Sequence, residues 1–368
     1  MTLLYVLCYN YNLKNIATEP KKMTGIIAVH CGAGSHSSSH YAKYNKLSKK
    51  ACKKGVEVLL NGGSALDAVK VVIAVLENDP LTNCGYGSNL TMDGRVEGDA
   101  SVMDGRTLIY GGCGAVRNVK NPIHLAYDIC VKQLTPLPLG LIPPSLLVGK
   151  GALEQARASR VKTVNQKSLI SPKAWSQFVK YKKKLEAEKS AELLDTVGAV
   201  CLDKNGDVAA GCSSGGILLK RPGRVGQAAI YASGVWADSF NKEAENPVAV
   251  CTSGCGEHLV RTHLAQTISE DIKNCSCPTK ALSDSITQRF LNSRYLQSVS
   301  NKLCGALVLH VDNQTGDISV LWAHTTQTMS VGFMTCLDKK ATAVVSQLPD
   351  DVPVGVKVNV SGVFHRKE

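Results

Sequence analysis

Thr196-Val-Gly-Ala-Val-Cys-Leu202, Asp203-Lys-Asn-Gly206 and Gly206-Asp-Val-Ala-Ala-Gly-Cys212 follow one another, and this stretch decides the fold. Two short apolar runs flank an Asp/Asn/Gly tetrapeptide, the pattern of an antiparallel hairpin. The same device recurs near the end, with strands over 303–311 and 318–322 joined through Asp312-Asn-Gln-Thr-Gly316. Upstream, Gly25-Ile-Ile-Ala-Val-His30 reads as a buried strand entering a tight loop at Gly32-Ala-Gly34. Residues 95–118 alternate apolar runs with Asp-Gly and Gly-Gly turns. Helical spacing marks 43–60, 64–77, 121–133 and 145–158, with Ser64 as N-cap and Asp67 in the first turn of the second. The segment 134–144 holds four prolines and reads as irregular. Helices alternating with antiparallel hairpins predict layered α and β structure, not a parallel doubly wound sheet.

Charge is concentrated in one place. The 368 residues carry a formal net charge of +12. Between Arg157 and Lys189 ten Lys/Arg face only Glu186 and Glu188, so that window holds +8. It reads as a basic linker, 157–194, ending in a Lys-Tyr-Lys-Lys-Lys run that suits nuclear addressing or acidic partners. Duplex binding would want such side chains on a rigid, groove-entering element, so no direct nucleic-acid contact is expected. No apolar run reaches the length of a membrane span. Fourteen cysteines without a Cys-x-x-Cys pair argue against structural zinc and place the chain in a reducing compartment. Residues 1–24 read as a disordered extension preceding a single folded domain, 25–368, with Met23 an alternative start.

No Walker loop occurs, and no Gly-x-Gly-x-x-Gly follows a strand. His36 and His40 are four apart without an intervening Glu, a poor zinc pair. What stands out is glycine and hydroxyl density at 30–37, 83–89, 211–226 and 251–257. Thr196 opens a strand directly after the polar linker. Hydrolysis of Asp195-Thr196 would make Thr196 an N-terminus, carrying a hydroxyl nucleophile and an α-amine on one residue. Such an amine has a pKa near ~7.7, suited to a general base at neutral pH. That chemistry needs no metal and no cofactor.

Leu194-Asp-Thr-Val-Gly-Ala-Val200, Ser213-Ser-Gly-Gly216, Pro222-Gly-Arg-Val-Gly226 and Gly254-Cys-Gly-Glu257 resemble the type 2 asparaginase branch of the N-terminal nucleophile hydrolases. Val29-His-Cys-Gly-Ala-Gly34, Thr82-Asn-Cys-Gly-Tyr-Gly-Ser-Asn-Leu90 and Asp99-Ala-Ser-Val-Met-Asp-Gly105 draw the likeness toward the threonine aspartases (taspases) within it. The resemblance implies an α+β fold, a four-layer αββα sandwich, autocleaved into an α chain ending at Asp195 and a β chain starting at Thr196. The two remain paired as a heterodimer that can dimerise further. It implies Thr196 as nucleophile, Ser214 as the hydroxyl that polarises it, Ser253 and Gly254 as oxyanion donors, and Arg224 as the clamp on a substrate carboxylate. Asparaginases of the branch have aspartate where this chain has Gln227. A neutral amide there suits an internal aspartyl residue of a polypeptide, whereas a carboxylate suits a free α-ammonium. The expectation is therefore a threonine endopeptidase acting on aspartate-containing proteins in nucleus and cytoplasm; the alternative is an L-asparaginase or isoaspartyl peptidase. Asn83 and Ser88 remain either site residues or turn formers, and Asp99 and Asp104 read as structural.

Overall fold

The computed structural model describes residues 25–186, 196–273 and 275–366. The extension 1–24, linker residues 187–194 and Asp195 lie outside the described residues. Thirteen strands among them build two sheets. The first has eight strands: β1 (Ile26–Gly34), β2 (Gly98–Asp104), β3 (Ile109–Val116), β4 (Leu146–Val148), β5 (Val197–Leu202), β6 (Val208–Ser214), β11 (Thr328–Thr335) and β12 (Thr342–Gln347), ordered β12-β11-β1-β5-β6-β2-β3-β4. The second has five: β7 (Val235–Asp238), β8 (Val248–Gly254), β9 (Cys304–Val311), β10 (Ile318–His324) and β13 (Asn359–His365), ordered β13-β10-β9-β8-β7.

Alternation along the strands sorts side chains into three apolar layers. In β1, Ile27 and Val29 face helices α1 (Tyr41–Leu60), α2 (Ala65–Glu77) and α3 (Pro122–Lys132), while Ile26 and Ala28 face the other sheet. In β9, Leu307 and Leu309 meet that inter-sheet layer, while Ala306 and Val308 turn outward. There they pack under α7 (Leu264–Lys273) and α8 (Pro278–Ser285). The order is helix, sheet, sheet, helix. Because both faces of these central strands are covered, they read as unbroken apolar runs although they pair antiparallel.

In the first hairpin β5 ends at Leu202 as expected, β6 is shifted two residues onward to end at Ser214, and α2 starts as expected. Ser64 Oγ accepts from Asp67 N while Asp67 Oδ2 accepts from Ser64 N, a reciprocal capping box. Three expectations need correction. The 145–158 segment begins with β4, which extends the sheet parallel to β3, so α4 (Gly149–Ala158) starts later. The basic segment is not all linker, because α5 (Pro172–Glu186) buries Ala174 and Phe178 against Leu90, Val96 and Leu169. The dense lysines hid that i, i+4 apolar pair. Strands β7, β8, β11, β12 and β13 lie outside the segments that the sequence reading marks as strand.

Strands from before and after Thr196 alternate within the eight-stranded sheet. β1 is flanked by β11 and β5, and β6 pairs with β2. A break between 195 and 196 would leave these ladders intact.

The layers leave little slack near Thr196. A Cβ on Gly198 would lie 2.4 Å from His30 Nε2 and 2.7 Å from Cys251 Sγ. Gly198→Ala is expected to lower unfolding stability by about 1–3 kcal/mol through overpacking, read from denaturant melts; an unchanged midpoint would show that the two sheets do not meet this closely.

Candidate active site

The hairpin register constructs the site. Val197 pairs with Ser213 and Gly198 with Cys212, so Ser214, at the end of β6, lies across from Thr196 at the start of β5. Thr196 Oγ1 donates to Ser214 Oγ at 3.1 Å, and Ser214 Oγ also accepts from Gly216 N at 3.0 Å. Gln227 Nε2 donates to Thr196 Oγ1 at 3.1 Å. The Thr196 hydroxyl is therefore fixed from two sides, with its proton turned toward Ser214. All three side chains are almost fully buried.

They line a small cleft with Gly216, Ile217, Arg224, Gly226, Gly254 and Gly256. Arg224 makes a two-oxygen ion pair with Glu257, at 2.6 Å to Oε2 and 2.5 Å to Oε1. Glu257 is half exposed, so another carboxylate can take its place at modest cost. Gly254 ends β8 at φ +128°, and a Cβ there would lie 2.4 Å from Leu303 O, so only glycine fits. Ser253 is fully buried, and its Oγ accepts from Ala33 N at 3.1 Å, which leaves its own proton free to donate. Ser253 does not line the cleft.

Of the predicted site residues, the structure thus brings together Thr196, Ser214, Arg224, Gln227 and Gly254 around one cleft, with Ser253 behind it. Asp195 lies outside the described residues. Asn83 is a buttress, and Asn89 joins it: Asn83 Nδ2 and Asn89 Nδ2 both donate to Gly216 O, at 2.8 and 2.9 Å, and hold the cleft wall, while Ser88 is fully buried against Gly215. Asp99 is not a hairpin residue alone. Its carboxylate accepts from Ala115 N at 2.7 Å and Gly226 N at 2.9 Å. His36 is committed to Thr328 Oγ1 at 2.8 Å and to the edge of Tyr44. No group of three or more His, Cys, Asp or Glu among the described residues is arranged to hold a metal.

Sequence reasoning missed three features. His30 sits against the Thr196 backbone, and burial lowers its pKa to about 3, so it is neutral beside Thr196. Gly211-Cys-Ser213-Ser-Gly215 has the spacing of a nucleophile elbow. However, Ser213 is buried and donates to Glu77 Oε1 at 2.7 Å, on a strand that leads into a loop. Glu77 itself, at the end of α2, is fully buried behind Ser213 and accepts also from Ile123 N.

Burial raises the Glu77 pKa to about 7, against partial relief from Ser213, Ile123 and Asn121. The folded state therefore holds this proton more tightly than the unfolded chain. The associated stability is full below the ordinary value near 4.5 and is lost as pH rises through about 7. Ionised Glu77 costs on the order of 3 kcal/mol relative to the unfolded chain. Glu77→Gln is expected to raise the melting temperature at pH 8 by several degrees and to change it little at pH 5. Equal destabilisation at both pH values would contradict this.

Comparison with known proteins agrees with this geometry. The Asparaginase_2 family model, described as Asparaginase, matches residues 23–344. The isoaspartyl peptidase/L-asparaginase of Xenopus laevis is 34% identical over 296 residues, covering 80% of this chain and 88% of that protein. The Homo sapiens protein of the same name is 33% identical over 306 residues, covering 82% and 91%. The plant-type L-asparaginase of Pyrococcus horikoshii is 38% identical over 225 residues, covering 58% and 68%. The sandwich fold, the register of Thr196 against Ser214 and these matches together place the chain in the type 2 asparaginase family of N-terminal nucleophile hydrolases.

Proposed function

We propose that this hydrolase is a self-processing threonine endopeptidase that cuts polypeptides after aspartate. The observation that carries the reading is Gln227. It occupies the cleft wall beside Thr196, and no carboxylate is among the lining residues. A free α-ammonium, as in asparagine, would find there a guanidinium and a neutral amide. An internal aspartyl residue presents an uncharged amide instead, which Gln227 can hydrogen-bond, while Arg224 takes the side-chain carboxylate in a bidentate fork.

Maturation and turnover use the same atoms. First the Thr196 hydroxyl adds to the Asp195 carbonyl; the C–N bond breaks, the hydroxyl proton passes to the departing nitrogen, and an ester forms. Water hydrolyses that ester, leaving an Asp195 carboxylate and a Thr196 α-amine. In turnover the amine takes the Oγ1 proton as Oγ1 attacks the carbonyl of the substrate aspartate. Ser214 stabilises the hydroxyl in the attacking orientation, and the developing oxyanion is met by Gly254 N–H, with Ser253 behind it. The proton goes to the leaving amine, and water then releases the acyl-enzyme as a new aspartate C-terminus. Before maturation Thr196 N is an amide and cannot act as base, so activity waits on the first cut.

The α and β chains stay together as a heterodimer in this reading, supported by the alternation of their strands in one sheet. Localisation to nucleus and cytoplasm rests on the basic segment, whose Lys173, Lys180, Lys182 and Lys183 are exposed on α5. A second reading, isoaspartyl peptidase or L-asparaginase, is favoured by the printed names of the relatives.

Parallel assays separate the two. Wild-type protein is expected to cut an N-terminally blocked aspartyl peptide and to release little ammonia from asparagine. Gln227→Asp is expected to lose about tenfold or more on the peptide and to gain ammonia release, because a buried charge is left facing an amide. Rapid ammonia release by the wild type would favour the second reading.

A further inference from the structure

Lys220 is among the largest fully buried side chains of the described residues, yet neither maturation nor turnover uses it. Its Nζ donates to Glu97 O at 2.8 Å and lies 3.9 Å from Asp99 Oδ2. Both carboxylates hold the loop between β6 and the 3-10 turn carrying Gln227. Glu97 Oε2 accepts from Gly223 N at 2.8 Å, and Asp99 Oδ2 accepts from Gly226 N at 2.9 Å. Arg224 lies between those two anchor points. Glu97 Oε1 is balanced by Arg117, at 2.8 Å from Nε and 2.6 Å from the terminal nitrogen. Asp99 has Lys220 as its ion-pair partner.

The cleft lies directly above this network. A Cβ on Gly216, a cleft-lining residue, would sit 3.0 Å from Lys220 Cδ, 3.2 Å from its Nζ and 3.6 Å from Arg224 Nη1. Two cations thus flank Gly216, one fully buried beneath the floor and one reaching the cleft. A buried ammonium so close to a guanidinium is unfavourable unless anions compensate it. Here the compensating anions are those that pin the arginine's own loop.

We propose that Lys220 is a positioning residue for the carboxylate clamp: with Asp99 and Glu97 it fixes Gly223 and Gly226, and so sets the direction in which Arg224 meets a substrate carboxylate. The Lys220 ammonium offsets part of the burial penalty on the Asp99 carboxylate, both of whose oxygens accept backbone N–H groups. Its buried charge also adds to the positive potential that an entering carboxylate meets, in a site where water screens poorly. The inference rests on Arg224 acting as a carboxylate clamp, which both readings of the activity share.

The test is the charge-neutral double variant Asp99→Asn with Lys220→Met, which leaves no buried charge unpaired. It is expected to self-cleave and to keep kcat within about threefold, while KM for an aspartyl peptide rises about tenfold or more, because a clamp displaced by a fraction of an ångström costs binding. Inhibition by N-acetyl-L-aspartate, a product-like acid, should weaken by a similar factor. A folded, self-cleaved double variant with wild-type KM and wild-type inhibition would overturn the inference. Glu97→Gln frees Gly223 with Lys220 in place and should move both readouts in the same direction. If the double variant does not fold, unchanged values in this variant overturn the proposal instead. Binding of N-acetyl-L-aspartate, measured by calorimetry, keeps the inference separate from the endopeptidase reading. A wild type that cuts no aspartyl peptide, with variants that still lose this binding, would remove the activity and leave the role of Lys220 standing.

Discussion

The register of β5 against β6 is the constraint on which the site depends. One hairpin closes eighteen residues of sequence and sets Thr196 Oγ1 3.1 Å from Ser214 Oγ. A slip by one residue would turn every side chain of β5 to the opposite layer and carry Thr196 away from its partner. That slip is blocked from both sides. Val197, Ala199 and Cys201 belong to the layer under the helices, and Val200 and Leu202 to the layer between the sheets. The apolar core and the reactive hydroxyl are therefore placed by one set of strand pairings.

The same sheet would let the chain keep its shape if it were cut before Thr196. Strands from the two sides of the cut alternate across the eight-stranded sheet, so the ladder bonds of β1 to β5 and β11, and of β6 to β2, do not depend on the peptide link before Thr196. Around this frame the polar residues are distributed by depth. Arg224, paired with the half-exposed Glu257, can exchange partners, whereas the buried Asp99, Glu97 and Lys220 hold backbone. Mobility of charge is kept at the cleft mouth and excluded from its foundations.

Much of this was legible in the sequence because it is local. Asp203-Lys-Asn-Gly206 marks a turn, Ser64 and Asp67 mark a helix start, and the resemblance carried Thr196, Ser214, Arg224, Gln227 and Gly254 to one place. The threonine logic needs only one residue and its peptide bond. Long-range partnerships were not legible. Nothing near Lys220 in sequence announces Asp99, which lies 121 residues earlier. Glu77 looks like an ordinary helix-end acid until β6 buries it behind Ser213. The basic segment misled for a different reason: its charge outweighed the weak apolar spacing of Ala174 and Phe178, which only the cluster around Leu90 makes significant.

Everything in the proposed chemistry depends on Thr196 becoming an N-terminus. Intact-mass measurement of the purified wild-type chain and of Thr196→Ala tests this most directly. The account predicts two wild-type fragments, the second beginning at Thr196, and one uncut chain for the variant. A wild-type chain that stays whole after prolonged incubation, or fragments that persist in Thr196→Ala, would contradict it.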